Sequence, residues 1–228
     1  NAGANQSLLE RFGAALAARS VAFDSGVNED VVAGRVSLAD YRIVMWMCGE
    51  ESTESETFGA TEQALVAAYL QGGGKLFVSG SEIGWDLVAK AGALNDYSNG
   101  AATDTPFFNG ILKANYVADD AGVYSVAGVA GGPFEGLSFS FDDGTHGTYN
   151  VKYPDTLGAT GGGASCLTYG SGPSTAAVCF TGIFPSGTEE GRLIYFAFPF
   201  ETIYPAAASA DVMARVLDYF DEPSSGSG

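Results

Sequence analysis

The chain has 228 residues, 46% of them hydrophobic, enough to bury a sizeable core within one domain. Its 10 basic residues stand against 27 acidic ones, a net charge of −17, while charged residues of all kinds make up only 16%. Such a surface repels nucleic acid and anionic membranes, and no run reaches the ~18 apolar residues that cross a bilayer, so nucleic-acid binding and membrane insertion are excluded. Acidity with few lysines suits salty or extracellular surroundings and suggests a secreted protein.

No signal peptide stands at the N-terminus, and the chain reads as mature or trimmed. It opens on a helical pattern, from about Asn5 through Leu8, Leu9 and Phe12 to Ala18. An α/β domain usually opens with a strand, so a first strand is expected upstream. Val21-Ala22-Phe23-Asp24 reads as a short strand, Glu29 to Ala33 as a short helix, and Arg42-Ile43-Val44-Met45-Trp46-Met47-Cys48 as a strand. That last run does not alternate, as expected of a central strand covered on both faces. Thr57 to Leu70 has apolar residues at helical spacing and stops at Gly72-Gly73-Gly74; Lys75 to Gly80 is the next buried strand. Helical stretches follow at Trp85 to about Ala91 and Thr105 to Leu112.

From Ala114 to Thr181 the composition turns to Gly, Ser, Thr, Tyr and Val in short alternating pieces, which make antiparallel hairpins. These form either an extension of the main sheet or a β-rich layer beside it. Arg192 to Phe198 returns as a buried strand and Ala207 to Phe220 as an amphipathic closing helix. Strand, helix, strand with short connections predicts an α/β three-layer sandwich on a mostly parallel, flavodoxin-like central sheet. The reading is a single domain over residues 1–221, with a β-rich antiparallel insertion at about 114–181 and a linker or tag at 222–228.

Cys166 and Cys179 flank the turn Gly170 to Thr175. Folded about that turn they face each other across two strands, close enough for a disulfide; the alternative is two reduced small hydrophobes. Cys48 is left over.

Ligands of open α/β sheets bind beyond the carboxyl ends of the strands. The residues there are Asp24, then Cys48-Gly49-Glu50-Glu51, then Ser81-Glu82 with Trp85-Asp86, then Pro199-Phe200-Glu201, so several carboxylates converge on one edge. A strand ending in Gly, and a later one running into Gly80-Ser81-Glu82-Ile83-Gly84, look like the class I glutamine amidotransferase-like fold. There the middle of the elbow is usually a cysteine whose thiolate sits beneath a helix N-terminus. Here that position is Glu82, and Phe198 stands where the family carries its histidine before Pro199. A nearer resemblance, from about Phe23 to Phe220, is to golvesin-like or xanthan-lyase-like domains of secreted bacterial proteins. It is carried by Cys48-Gly49-Glu50-Glu51-Ser52-Thr53, Gly80 to Leu87, Phe141-Asp142-Asp143-Gly144 and Phe198-Pro199-Phe200-Glu201-Thr202-Ile203. It implies the fold and little about activity.

Glu82 reads either as a general acid or base beside Trp85 or as a helix N-terminal carboxylate held by free amides. Glu50 and Glu51 read as ligands of a hard cation, calcium above all, together with Glu82 or Glu201, or else as caps and solvated loop. Asp86 and Trp85 complete the edge as binding residues, and Trp85 offers a face to a sugar or to the neighbouring layer. Cys48 invites a thiol-nucleophile reading, but the lone histidine, His146, lies in a hairpin turn, so a buried inert thiol is the simpler account.

Three functions follow. One is a noncatalytic module of a larger secreted chain that binds carbohydrate, a cation or a protein and needs no cofactor. Another is a hydrolase or lyase on a polysaccharide, with Glu82 as acid or base assisted by Glu201, Glu50 or Glu51. The last is self-assembly through an open sheet edge.

Overall fold

In the computed structural model, which describes residues 2–90 and 102–220, the chain begins with α1 (Ala2–Ala17), α2 (Asn28–Val32), β1 (Val44–Gly49), α3 (Ala60–Gln71) and β2 (Lys75–Gly80). A π-helical turn (Trp85–Ala89) and α4 (Asp104–Gly110) lead into β3 (Ala114–Ala118), β4 (Ser125–Gly128), β5 (Ser138–Phe141), β6 (Thr156–Ala159), β7 (Ala164–Tyr169) and β8 (Thr175–Ile183). The chain then closes with β9 (Glu190–Phe196), a 3-10 turn (Phe200–Thr202), β10 (Ile203–Tyr204) and α5 (Ala206–Phe220). The helix end expected near Ala91 and the 222–228 linker lie outside the described residues.

The continuous apolar runs do become parallel strands: β1 pairs with β2, and β2 with β9. Their residues alternate between two cores. Phe77, Ile194 and Phe196 join Phe12 and Leu16 of α1 and Val212, Met213 and Val216 of α5 on one face. Leu76, Val78, Leu193 and Tyr195 join Val66 and Leu70 of α3 and Phe107 and Phe108 of α4 on the other. Burial on both faces is why these runs do not alternate.

The expected mostly parallel three-layer sandwich is nevertheless wrong for the molecule as a whole. Ten strands form one mixed sheet, a half-barrel with few helices, in the order β1-β2-β9-β8-β7-β4-β5-β10, with β6 and β3 branching from β8. Beyond β9 every pairing is antiparallel. The hairpin region therefore extends the main sheet. The physical cause is the far edge of β9, whose backbone groups need a partner. The long strand β8 supplies it from Ala177 opposite Phe196 to Ile183 opposite Glu190. Helices cover both faces only at the β1-β2-β9 end.

Two local expectations also change. Val21 to Asp24 enters no sheet and is exposed. The bridge between Cys166 and Cys179 is not formed, and all three cysteines are free thiols. Cys179 lies opposite Ala164, while Cys166 falls in a register break between Ser165 and Leu167. The bulge shifts the ladder register there, yet the two thiols stay within hydrogen-bond reach of each other.

Phe196 binds the halves of the sheet together. It meets Phe77 edge-on at 4.9 Å and Phe134 at 5.3 Å, and stacks on Phe198 at 4.9 Å. Phe196→Ala is expected to cost about 3–5 kcal/mol, read from urea unfolding. A loss below about 1 kcal/mol would remove this ring from the centre of the core.

Candidate functional site

The carboxyl ends of β1 and β2 meet at Gly49 and Gly80, which are register partners. A Cβ on Gly80 would lie 2.7 Å from Cys48 Cβ and 3.1 Å from Ile83 Cδ1, so close packing accounts for this glycine. Past it the chain turns: Ser81 N–H donates to Gly49 O at 3.1 Å, and Ile83 and Gly84 are buried before Trp85 opens the π-helical turn.

The N–H groups at this helix start are taken by Asp155, which lies just before β6. Its Oδ2 accepts from Gly84 N at 2.6 Å and Trp85 N at 3.1 Å. Its own N–H donates to Ser81 O at 2.9 Å, and its carbonyl accepts from Tyr169 OH at 2.9 Å. Burial drives the Asp155 carboxyl well above the usual range against the pull of those two amides, and Asp119 and Glu82 add to the rise. The shift favours the protonated form of the Asp155 carboxyl. The cap expected of Glu82 belongs to Asp155. No sequence spacing links Asp155 to an elbow 71 residues away.

Glu82 is half-buried instead. Burial raises its carboxyl, the Ser52 hydroxyl partly offsets this, and Asp119, Asp86 and Glu50 raise it further. Beside it stand Trp85 and Tyr116, both half-buried, with ring centroids 6.4 Å apart. Burial, then Asp155, Asp119 and Glu82, push the Tyr116 hydroxyl up to about 12, which places it on the same acidic patch. Tyr116 and Asp119, one in β3 and one just after it, were not legible as site residues, since nothing local marks them.

Glu50 is exposed, and burial raises its carboxyl while Lys152 lowers it. It acts on both Glu82 and Glu201 and so links the two. Glu51 keeps solvent contact, yet the protein crowded around its carboxyl pushes it up to about 7, reinforced by Glu62, Glu29 and Asp86. Solvent screens part of that effect. Asp86 is structural: its buried Oδ2 accepts from Thr57 N at 2.9 Å and Thr57 Oγ1 at 2.8 Å, fixing the loop ahead of α3.

Glu201 is 2% exposed and lies beneath Tyr149, whose hydroxyl donates to its Oε1. Its Oε2 finds no hydrogen-bond partner among the described residues. Burial pushes Glu201 up to about 7; Tyr149 and Arg11 oppose the rise and Glu50 adds to it. A side chain so enclosed has no path to a bulky substrate.

The nucleophile readings find no support in the geometry. Burial holds the Cys48 thiol well above its usual value, and its Sγ–H points at Thr57 O. His146 is exposed on its turn and stacks on Tyr204 with centroids 3.7 Å apart. Phe198, fully buried, stacks on Phe141 at 4.7 Å. Among the described residues no three Asp, Glu, His or Cys side chains are grouped to hold a metal ion. Two open cavities, of about 400 and 310 Å³, lie between α3 and residues 31–42, away from the elbow.

Asp155→Asn keeps an acceptor for the two amides and a donor at the second position, as a neutral carboxyl does, so it is expected to cost under about 1 kcal/mol. Asp155→Ala strands both amides and is expected to cost about 2–3 kcal/mol. Equal losses from chemical denaturation would mean an ionised Asp155. The Glu201 carboxyl is raised from 4.5 to about 7, so the stability it supports is complete below about pH 4.5 and lost as pH rises through about 7, on the order of 3 kcal/mol. In Glu201→Gln, unfolding free energy should fall less between about pH 5 and pH 8 than in the parent; an unchanged slope would contradict this.

No protein-family model matches the chain, and no curated protein sequence matches it. The functional reading therefore rests on the site itself.

Proposed function

We propose that this domain is a noncatalytic module of a larger secreted protein, binding carbohydrate on the acidic surface of the elbow. The observation that carries the reading is the Asp155 carboxyl on Gly84 N and Trp85 N. Amides at a helix start are what an elbow enzyme uses to hold a thiolate or an oxyanion. Here a side chain of the same chain occupies them, and neither a thiol nor an imidazole bonds to them.

What faces solvent is different chemistry. The half-buried Trp85 and Tyr116 offer apolar faces of the kind that stack on sugar rings, and Glu82 and Asp119 beside them accept hydrogen bonds from hydroxyls. The shallow setting suits a chain-like ligand lying on the surface. The resemblance to golvesin-like and xanthan-lyase-like domains supports the secreted setting. The reading calls on no cofactor.

Calorimetric titration against a panel of soluble polysaccharides tests this. Trp85→Ala and Glu82→Gln should each weaken binding at least tenfold, with no reducing ends released by the parent. Affinity should fall as pH drops through the raised carboxyls of Glu82 and Asp119, because only the ionised forms accept without a competing proton. Release of reducing ends that Glu82→Gln abolishes would establish a carboxylate hydrolase instead; a panel with no Trp85-dependent binding would end the carbohydrate reading.

A further inference from the structure

Strand β1 closes one end of the sheet, paired with β2 on one side and with no described strand on the other. Its side chains use both cores. Ile43, Met45 and Met47 pack against the α1 and α5 face, and Val44 and Trp46 against the α3 face, where Trp46 stacks on Phe58 at 5.4 Å. Yet residues 44–47 are only half-buried, while their neighbours 76–79 in β2 are buried. With both faces covered, the exposure is sideways, along the row of unpaired N–H and C=O groups. Edge strands are normally guarded by a charge, a lysine or a proline, and Val44 to Gly49 contains none of these. The strand has the build of an interior one.

Two neighbours are poised around this gap. Val21 to Asp24, strand-like in sequence, is in no ladder; Val21 and Phe23 are exposed, and Asp24 accepts from the hydroxyl of Tyr41 just ahead of β1 at 3.3 Å. Helix α1 runs antiparallel to the parallel strands. Near its middle Phe12 touches Phe200, past the carboxyl end of β9, at 4.5 Å. Just beyond its last turn Arg19 pairs with Asp218 of α5, next to Tyr219, whose carbonyl accepts from Arg192 at the amino end of β9. A helix that starts at the carboxyl edge and ends at the amino edge has the direction of a crossover from one parallel strand to the next.

We infer that the free edge of β1 is an acceptor site for a parallel strand of the same polypeptide, one that enters α1 at the carboxyl edge and lies between β1 and Val21 to Asp24. The occupant is a run of five or six residues, matching β1 in length, with apolar side chains on both faces to continue the two cores sideways. Its two backbone edges satisfy β1 and Val21 to Asp24 at once, and it covers Phe23 and Trp46.

Hydrogen exchange with mass spectrometry, run on the 228-residue chain and on the polypeptide with the residues encoded ahead of Asn1, tests the inference, with light scattering on the same samples. The expected result is fast exchange over residues 21–24 and 44–49 in the shorter chain and exchange slowed roughly 100-fold or more in the longer one, both monomeric. Equal exchange in the two forms, or an encoded stretch lacking such an apolar run, would overturn it. Protection in the shorter chain that grows with concentration and tracks a dimer would overturn it too, and would make a second copy the occupant.

Discussion

The side chain of Asp155 ties the molecule together. It reaches from the start of β6, in the antiparallel part of the sheet, to the elbow after β2, in the parallel part. Its carboxyl accepts from Gly84 and Trp85, its N–H donates to Ser81, and its carbonyl accepts from Tyr169. Burial raises this carboxyl and favours its uncharged form, while the two amides pull the other way. The same carboxyl that secures the fold also closes the elbow to anionic chemistry.

The acidic character of the edge follows from what is left outside that lock. Glu50, Glu51, Glu82 and Asp119 surround the elbow, each with its carboxyl raised chiefly by burial and by its neighbours. Charge at this density costs stability and persists in a folded chain when something is gained by it. With Trp85 and Tyr116 alongside, acceptors and aromatic faces suit a hydroxyl-rich ligand better than a reactive one.

Much of the local structure was legible because it depends on short-range patterns. The non-alternating runs at Val44 to Cys48, Lys75 to Gly80 and Arg192 to Phe198 became the three parallel strands, and Gly72-Gly73-Gly74 ended α3 as expected. The fold class was not legible. Alternation in β3 to β8 predicts hairpins but not which edge they join, and the pairing of β8 with β9 turned a parallel sheet into a mixed one. Register breaks take Cys166 out of the ladder pairing with Cys179, although the two thiols remain neighbours. At the site, Glu82 and Trp85 were marked by the elbow's glycines, whereas Asp155, Tyr116 and Asp119 arrive from the antiparallel region through contacts that no spacing encodes.

The central claim is that the amides of the elbow are occupied from within. Nuclear magnetic resonance of the Gly84 and Trp85 amides, followed as acetate or phosphate is added near pH 7, tests it most directly. The account predicts two slowly exchanging amides whose shifts stay fixed across the titration. Fast exchange with saturable shifts at both positions would reveal an open anion site and contradict it.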